Sequence, residues 1–396
     1  MRVKPFRPLI YQGEIATFVA PPFDTILKSQ EDDLKRNREN IVHLTLPAES
    51  DGMGTPRQII DQWISEGRMK RPDRDIMLLV SQEFSLANQS LQRLGIIALA
   101  GIYPIDGTVK PHERTFDGPR KGRMQLMSTL GCQPEPIFLL VSSSKFEKLL
   151  RTALQSSSKL FSFEEPLNVV NNIYLLEDQV IIEDIKKSLE NENSIVADGH
   201  HRLAATQALA DMSEGSAREF WSYSMAYVTS VHDPGLLISG IHRIIKTEIT
   251  NRDWLQRLQT YFDVETRDDL AKSQGLVLYD GQYHYLKVKK EAVMPLLPAY
   301  TPEMEVPLTA VVNEIVFAKC LGLTEIEVER SILYTNDLAE AIRSVDGKTA
   351  IMSVIMPPWE KENFIRIVLK NQILPQKSTY FYPKIPSGIA VNCLEH

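Results

Sequence analysis

The sequence predicts an α+β protein with a mixed-sheet N-terminal domain and a smaller α+β C-terminal domain. Three observations support this prediction. The chain has 396 residues, which corresponds to about two or three domains. Hydrophobic residues make up 43% and charged residues 24% of the chain, close to the composition of globular proteins. Short apolar runs typical of buried strands alternate with segments whose apolar residues recur at helical spacing.

The first part of the chain supplies a helix and three strands. Residues 41–46 are rich in β-branched side chains and predict a strand that carries His43. Residues 56–67 place their apolar side chains on one face and predict an amphipathic helix. Residues 76–84 and 94–103 are apolar runs separated by a polar turn, so we expect two strands there.

The middle of the chain continues the alternation of predicted strands and helices. The strands are residues 136–141, 194–197 and 220–231, and the helices are residues 180–189 and 203–210. The helical prediction for the last of these rests on its many Ala and Leu residues, which have high helix propensity.

The domain boundary is predicted near residues 235–250, after a Pro-Gly turn. We therefore divide the chain into residues 1–240 and residues 241–396. The second part opens with a predicted helix at 250–263, followed by a hairpin at 275–288 that turns at Asp-Gly.

Charge and cysteine content exclude several classes of protein. Acidic residues outnumber basic residues 51 to 44, a net charge of −7, which argues against nonspecific coating of nucleic acid. Cys132, Cys320 and Cys393 are far apart and form no CxxC pair, so we expect no disulfide framework and a reducing compartment. The apolar stretch 94–103 is too short to span a bilayer and no signal peptide is evident. We therefore expect a cytoplasmic protein without a membrane partner, and the oligomeric state stays open.

The strongest local signal is the run from Asp198 to Arg202, where an apolar strand meets a glycine and then a helix. Gly199 permits backbone conformations that other residues resist. The first turn of a helix offers N–H groups and the positive end of the helix dipole, and such a corner binds anions, above all phosphate. Arg202 adds a charge-assisted contact.

The acid and the two histidines of this corner have several candidate roles. Asp198 is a candidate to hold a histidine tautomer, to bind Mg²⁺ or to act as a base. His200 and His201 are adjacent and point in different directions, so we expect at most one of them to face a given ligand. The alternative is a helix start capped by Asp198, with both histidines on the surface.

A second polar segment, residues 111–123, combines an acid with a basic cluster. Glu113 is a candidate general base or metal ligand, and Arg114 and Arg123 are candidates to neutralise a polyphosphate. The segment is no zinc signature, because no second histidine follows four residues after His112. The alternative is a solvated charged loop.

Three further places carry candidates for substrate binding. Lys377, Ser378 and Thr379 bring an ammonium group and two hydroxyls together, but the glycines of a P-loop are absent upstream; the alternative is a strand edge. Asp24 follows two prolines on a rigid turn, which either aims the carboxylate inward or is capped by it. His43 is either a substrate contact or a core histidine.

These motifs, in this order along most of the chain, resemble a prokaryotic family catalogued as domain of unknown function 1015. The resemblance implies one family unit rather than a fusion of unrelated domains. The matching pieces are Ala20–Asp24, Asn40–Leu46, Pro111–Thr115, Ala197–Arg202, Pro234–Leu236 with His242 and Arg243, and Lys377–Lys384.

The run Asp198–Arg202 is also similar to the phosphate-binding corner of the ParB/sulfiredoxin superfamily, which includes kinases that phosphorylate free serine. This resemblance implies a ParB/sulfiredoxin-like N-terminal domain and nucleotide phosphates bound by Gly199, His201 and Arg202. It also implies that an acid, Asp198 or Glu113, serves catalysis or binds Mg²⁺.

The function predicted from these features is a kinase that uses ATP or ADP, with Mg²⁺, to phosphorylate a small hydroxylated metabolite such as free L-serine. Phosphoryl transfer depends mainly on positioning and charge neutralisation, which the corner and the basic segment can supply. Glu113, Asp198 and His200 are the predicted catalytic residues. The alternatives are a ParB-like DNA-binding regulator with a helix-turn-helix within residues 305–345, a phosphoester hydrolase, and a non-catalytic binder of small molecules.

Overall fold

A computed structural model of the protein describes residues 1–47, 52–86, 89–113, 117–166, 168–249, 251–270, 275–301, 304–370 and 372–395. The chain forms two compact units. Unit 1 consists of Met1–Leu237 and Pro383–His396, and unit 2 consists of Ile238–Tyr382. The predicted division assigned all of residues 241–396 to one domain, whereas residues 383–396 belong with unit 1.

The strands are mostly short. In chain order they are β1 (Val3–Lys4), β2 (Ile10–Tyr11), β3 (Met69–Lys70), β4 (Met77–Leu86), β5 (Gln89–Gly101), β6 (Val109–Lys110), β7 (Cys132–Gln133), β8 (Ile137–Val141), β9 (Ser158–Glu165), β10 (Val169–Leu176), β11 (Ser194–Asp198), β12 (Tyr223–Ser230), β13 (Leu237–Ser239), β14 (His242–Ile245), β15 (Phe262–Arg267), β16 (Leu276–Tyr279), β17 (Tyr283–Val288), β18 (Ile332–Thr335), β19 (Met352–Ile355), β20 (Tyr380–Tyr382) and β21 (Asn392–Cys393).

The helices differ widely in length. In chain order they are α1 (Ile15–Phe18), α2 (Lys28–Lys35), α3 (Val42–Thr45), α4 (Pro56–Ser65), α5 (Asp117–Leu130), α6 (Ser144–Ser156), α7 (Gln179–Leu189), α8 (His200–Met212), α9 (Gly215–Trp221), α10 (Trp254–Tyr261), α11 (Lys290–Val293), α12 (Leu308–Val311), α13 (Glu325–Ser331), α14 (Leu338–Asp346) and α15 (Lys361–Leu369). Two 3₁₀ turns, Phe23–Thr25 and Met294–Leu296, and a π-helical segment, Val312–Leu321, complete the set.

Unit 1 is built on a nine-stranded mixed sheet. Eight strands follow the order β6-β11-β8-β12-β5-β4-β10-β9, and the ninth, β1, pairs with Leu99 and Ala100 near the C-terminal end of β5. The pairs β12–β8 and β11–β6 are parallel and the others are antiparallel. One face of this sheet forms the apolar core with α6 and α7, through residues such as Leu139, Val228, Phe146 and Ile185. The α+β class and the mixed sheet predicted from the sequence are therefore confirmed.

The opposite face of the sheet carries polar and aromatic side chains. The register places Asp198 of β11 opposite Phe138 of β8, and Phe138 opposite Tyr227 of β12. Because side chains alternate along a strand, these three residues share one face. The guanidinium of Arg93, from β5, lies over the rings of Phe138 and Tyr227 at 4.8 and 5.3 Å. The candidate site lies at the Asp198 end of this face.

Residues 41–46 differ from the prediction, because they form the helical turn α3 rather than a strand. The Asn40 Oδ1 accepts a hydrogen bond from the Val42 N–H at 2.9 Å. Such a bond from a side chain to the backbone starts a turn, and it outweighs the β propensity of this run. His43 is buried in α3, and its Nε2 donates to the carbonyl oxygen of Asn37 at 3.1 Å.

The expectation of no disulfide is wrong, because Cys132 and Cys393 are bonded to each other. They lie opposite each other in the antiparallel pair β7–β21, although 261 residues separate them in sequence. Sequence spacing shows no such pairing, since the two short strands meet only through the tertiary fold. Cys320 is a free and buried cysteine.

Unit 2 contains a six-stranded antiparallel sheet with the order β15-β17-β16-β19-β14-β18. Its core includes Phe262, Leu278 and Phe317. The hairpin predicted at 275–288 is present as β16 and β17. In the segment considered for a helix-turn-helix, α13 carries three glutamates and one arginine, a charge unfavourable for contact with DNA phosphates. Among the described residues, no helix combines the length and the apolar character needed to cross a membrane.

Candidate functional site

The predicted strand–glycine–helix corner is present in unit 1. Strand β11 ends at Asp198, Gly199 has a φ of 84°, and α8 begins at His200. This left-handed conformation is open to glycine and costs other residues free energy. The first helical hydrogen bond runs from the Leu203 N–H to the Gly199 carbonyl oxygen at 2.9 Å. The N–H groups before it therefore take no part in the hydrogen bonds within α8, at the positive end of a helix of 13 residues.

Space beside Gly199 is restricted as well. A Cβ atom there would lie 3.0 Å from the Arg202 Nε and 3.1 Å from the Ile137 Cγ2. Glycine is thus required both by the backbone conformation and by the close approach of Arg202.

We expect Gly199→Ala to lower the free energy of unfolding by about 1–3 kcal/mol, since it adds the strain of a left-handed alanine and a steric contact. Urea unfolding measures the loss. Gly215→Ala is the matched control, because Gly215 also has a positive φ, 56°, but no atom lies within 4 Å of the place that a Cβ would occupy. Equal losses in the two variants would contradict a special restriction at Gly199.

Asp198 is held by cations and by the backbone. Its Oδ1 accepts a hydrogen bond from the Gly199 N–H at 2.8 Å, and its Oδ2 accepts one from the Lys384 Nζ at 3.0 Å. The Arg202 Nη2 lies 3.8 Å from the Oδ1. Burial alone would raise the pKa of Asp198, but Lys384 and Arg202 outweigh it and hold the pKa well below the usual range of an aspartate. Asp198 is therefore a stable carboxylate and a weak base.

The side chain of Arg202 is buried, with 5% of the residue exposed. Its Nη1 donates a short hydrogen bond to the carbonyl oxygen of Pro136, just before β8. Its Nε is buried and has no hydrogen-bond partner among the described residues. Arg202 thus ties α8 to the start of β8, and its predicted direct contact with phosphate stays a prediction.

Glu135 is a buried acid that links three parts of the chain. Its Oε1 accepts hydrogen bonds from the Phe23 N–H at 3.1 Å and from the Ser387 Oγ at 2.7 Å. Its Oε2 lies 4.0 Å from the Arg123 Nη1. Arg123 also donates to the carbonyl oxygen of Thr45 at 2.7 Å, and its guanidinium lies 3.5 Å from the centre of the Phe23 ring. The charge of Glu135 also interacts with that of Arg202. We call Glu135, Arg123, Asp198, Arg202 and Lys384 the charged cluster.

Asp24 lies beside this cluster in the 3₁₀ turn after the two prolines. The residue is exposed, although its carboxylate is close enough to Asp198, Arg202 and Lys384 to interact with their charges. Desolvation by the surrounding protein raises its pKa above the usual aspartate value, and the negative charge of Asp198 adds to the effect. Asp24 is thus an exposed residue whose carboxylate is packed by the surrounding protein and has a raised proton affinity.

The two histidines at 112 and 200 pack edge to face, with ring centres 4.6 Å apart. The His112 Nδ1 donates to the carbonyl oxygen of Val196 at 2.5 Å, and the His200 Nε2 accepts a hydrogen bond from the His112 N–H at 3.4 Å. Burial, together with the neighbouring imidazole of His112, lowers the pKa of His200 to about 3. His200 is therefore neutral near pH 7. The Glu113 Oε1 lies 3.6 Å from the His112 Nε2.

The remaining predicted residues fall in different places. His201 follows His200 in the first turn of α8. Arg114 lies outside the described residues. Lys377, Ser378 and Thr379 belong to unit 2, where the Lys377 carbonyl oxygen accepts a hydrogen bond from Arg243 at 2.9 Å. His43 is in unit 1, but no contact described for it joins it to Asp198, and its substrate role stays a prediction.

Sequence reasoning missed Glu135 and Lys384. Each had a signal: Glu135 stands between two prolines just before an apolar strand, and Lys384 closes one of the family motifs. A charged residue between prolines at the start of a buried strand has little freedom to leave the protein interior.

Magnesium was predicted to bind at Asp198, and the described surroundings do not fit that role. Both carboxylate oxygens already accept hydrogen bonds, one of them from an ammonium group at 3.0 Å. Within the described ranges, no group of three or more His, Cys, Asp or Glu side chains is arranged to hold a metal ion.

Several solved structures are similar to this chain at low sequence identity. A conserved hypothetical protein from Pyrococcus furiosus is 15% identical, with a TM-score of 0.36 over 72% of this chain and 92% of that one. A free serine kinase in complex with AMP is 13% identical, with a TM-score of 0.36 over 69% of this chain and 83% of that one. SbnI with a C-terminal truncation, from Staphylococcus aureus, is 11% identical, with a TM-score of 0.39 over 75% and 87%.

No curated protein matches the chain. A family model described as "Protein of unknown function (DUF1015)" matches residues 3–312, which is most of the sequence. Of the motifs that suggested this family, those from Ala20–Asp24 to His242 and Arg243 lie within the matched residues, and Lys377–Lys384 lies after them. The chain therefore belongs to the DUF1015 family.

Proposed function

We propose that the protein binds a nucleotide at the Asp198–Arg202 corner and transfers a phosphoryl group to the hydroxyl of a small metabolite. ATP or ADP is the proposed donor, and free L-serine is the first acceptor to test, because the corner resembles that of the free serine kinases. The observation that carries the proposal is an acid on an exposed residue, Asp24, that interacts with Asp198, Arg202 and Lys384 at the start of α8.

The phosphate end of the proposal rests on charge. The start of α8 carries the positive end of the helix dipole, and Lys384, Arg202 and Arg123 bring three cations into the same cluster. Phosphoryl transfer needs groups that are already in place to offset negative charge on the transferred phosphate. The carboxylates that partner these cations hold them in position.

The acceptor end of the proposal rests on Asp24. A hydroxyl that attacks a phosphate loses its proton, and a basic side chain within reach can take it. Asp198 is tied to Lys384 and poorly basic, and His200 has a pKa of about 3. Asp24 is exposed and has a raised pKa, so it is the best candidate among these three. Glu113 remains the alternative base.

Thermal unfolding with ATP, ADP and AMP, each with and without Mg²⁺, tests the nucleotide part of the proposal. A nucleotide at about 100 times its dissociation constant should raise the free energy of unfolding by about 2.7 kcal/mol. Because the described surroundings of Asp198 do not fit a metal ion, samples with and without Mg²⁺ show whether nucleotide binding depends on the ion. If no nucleotide stabilises the protein in either arm, the proposal is wrong.

Asp24→Asn tests the catalytic part. We expect this variant to bind nucleotide within a few-fold of wild type and to form phosphorylated product about 10²–10⁴-fold more slowly, because Asn cannot accept the proton. In wild type, the rate should decrease as the pH is lowered, and the decrease should begin at a pH above the usual aspartate pKa. The variant should show no such decrease. Asp32→Asn, an exposed aspartate on α2, is the control. Phosphate release without a phosphorylated acceptor would favour the hydrolase alternative.

A further inference from the structure

The last part of unit 1 returns to the candidate site after unit 2. We call residues 383–395 the returning segment. It is held to the rest of unit 1 at three places by backbone hydrogen bonds: Ser387 bonds with Ala20, Val391 bonds with Leu9, and the Leu394 N–H donates to the Gly131 carbonyl oxygen. The Cys132–Cys393 disulfide adds a covalent link near its end.

Two side chains of the returning segment contact the acids of the site. The Lys384 Nζ binds the Asp198 Oδ2 at 3.0 Å, and the Ser387 Oγ binds the Glu135 Oε1 at 2.7 Å. The Lys384 carbonyl oxygen also accepts a hydrogen bond from the Gln82 Nε2 at 2.8 Å. The segment therefore supplies one of the cations of the corner and positions it with its own backbone.

The other cysteine of the disulfide, Cys132, is closer in sequence to residues of the site. Cys132 is three residues before Glu135 and four before Pro136, whose carbonyl oxygen binds Arg202. The disulfide thus joins the two stretches that hold Asp198 and Arg202: residues 132–136 on one side and residues 384–393 on the other.

We infer that the Cys132–Cys393 disulfide is a thiol–disulfide control on this corner, which fixes the end of the returning segment and weakens the contact between Lys384 and Asp198 when it is reduced. Only the expected change in nucleotide affinity rests on the proposed function; the structural effect of reduction does not depend on it. In this arrangement Lys384 is a positioning residue: it holds the carboxylate that in turn binds the Gly199 N–H at the start of α8.

The chemistry is an exchange with a dithiol reductant. A thiolate of the reductant attacks one sulfur of the disulfide and displaces the other as a thiolate, which takes up a proton. The second thiol of the reductant then releases the mixed disulfide, so that the reductant is oxidised and Cys132 and Cys393 become thiols. Cys132 and Cys393 are both buried, with 0% and 6% of the residue exposed, so the reductant reaches the disulfide when the chain end beside the exposed Glu395 opens.

Reduction is expected to loosen the returning segment without releasing it, because the backbone bonds at Ser387 and Val391 remain. The loss of one well-placed charge-assisted contact corresponds to a fall in nucleotide affinity of about tenfold. Cys320 offers a control, because it is buried in unit 2 and burial raises the pKa of its thiol to about 12, which makes it unreactive.

The experiment compares oxidised and reduced protein by three measurements: alkylation of cysteines in denaturant, amide hydrogen exchange, and ADP affinity by calorimetry. We expect one alkylated cysteine before reduction and three after it. On reduction, exchange should quicken at Ser387, Val391, Leu394 and Gly199, and ADP should bind about tenfold more weakly.

Three variants test whether the redox response depends on the disulfide and on Lys384. Cys132→Ser/Cys393→Ser should behave like the reduced protein under both conditions, and Cys320→Ser should respond like wild type. Lys384→Met should bind ADP weakly in both states, and a full redox response of its ADP affinity would contradict the role of Lys384.

Two results would overturn the inference: three alkylated cysteines in protein that has never met a reductant, or a disulfide whose reduction changes neither exchange nor ADP affinity. If exchange responds as expected but ADP binds in neither state, the redox control stands and the proposed nucleotide function fails.

Discussion

Replacement of Arg202 by alanine is expected to lower the free energy of unfolding of unit 1 by about 3–5 kcal/mol, because it leaves buried carboxylates with one cation fewer. Arg202 is 5% exposed. Although burial opposes its charge, the nearby carboxylates of Glu135, Asp198 and Asp24 raise its pKa above the usual arginine value. The variant also removes the hydrogen bond to Pro136 that ties α8 to β8.

Urea unfolding, with amide exchange in α8 to report on unit 1, measures this loss. Arg202→Lys should lose less, about 1–2 kcal/mol, because an ammonium keeps the charge but cannot reach two partners as a guanidinium does. Arg218→Ala, at an exposed arginine of α9, should stay within about 0.5 kcal/mol of wild type. A loss below about 1 kcal/mol in Arg202→Ala would contradict the structural role of the guanidinium.

Glu165→Gln is expected to make the protein more stable at high pH and to leave it unchanged at low pH. Burial raises the pKa of Glu165 from 4.5 to about 7, although hydrogen bonding by Asn171 acts in the opposite direction. The folded state therefore holds the proton more tightly than the unfolded state. By linkage, the free energy of unfolding falls as the pH rises from about 4.5 to about 7 and then levels off.

The expected size is about 1–2 kcal/mol at pH 8, which is less than the full shift implies because Glu165 keeps some contact with solvent. Gln keeps the shape and the oxygen that binds the Asn171 Nδ2 at 2.6 Å. Urea unfolding between pH 4 and pH 8 gives the difference between variant and wild type. Glu164→Gln, at the exposed neighbouring residue, should show no such difference, and a flat difference for Glu165→Gln would sink the prediction.

Features that depend on neighbouring residues could be predicted from the sequence. The strands predicted at 76–84 and 94–103 appear as β4 and β5, because their apolar runs are bounded by polar turns. The corner appears as predicted, because a glycine between an apolar strand and an Ala-rich run indicates a tight turn from the strand into a helix. The exception is the segment that carries His43. There the Asn40 side chain accepts a hydrogen bond from the Val42 N–H, and the β-rich run forms a helical turn instead of a strand.

Features that depend on distant residues could not be predicted. Lys384 and Asp198 are 186 residues apart, and the two bonded cysteines are 261 apart. Such pairs meet because the sheet order and the path of the returning segment bring them together, and local patterns carry no information on either. Several site residues could therefore be predicted from the sequence, but the distant residues that contact them could not.

The insertion of unit 2 within the sequence of unit 1 sets an order of events during synthesis. All nine strands of the large sheet precede Ile238, so the ribosome has delivered every one of them before unit 2 begins. Lys384 and Cys393 emerge only after unit 2 has been made. A growing chain can thus form its sheet early while Asp198 still lacks its ammonium partner, which arrives only after unit 2 has been synthesised.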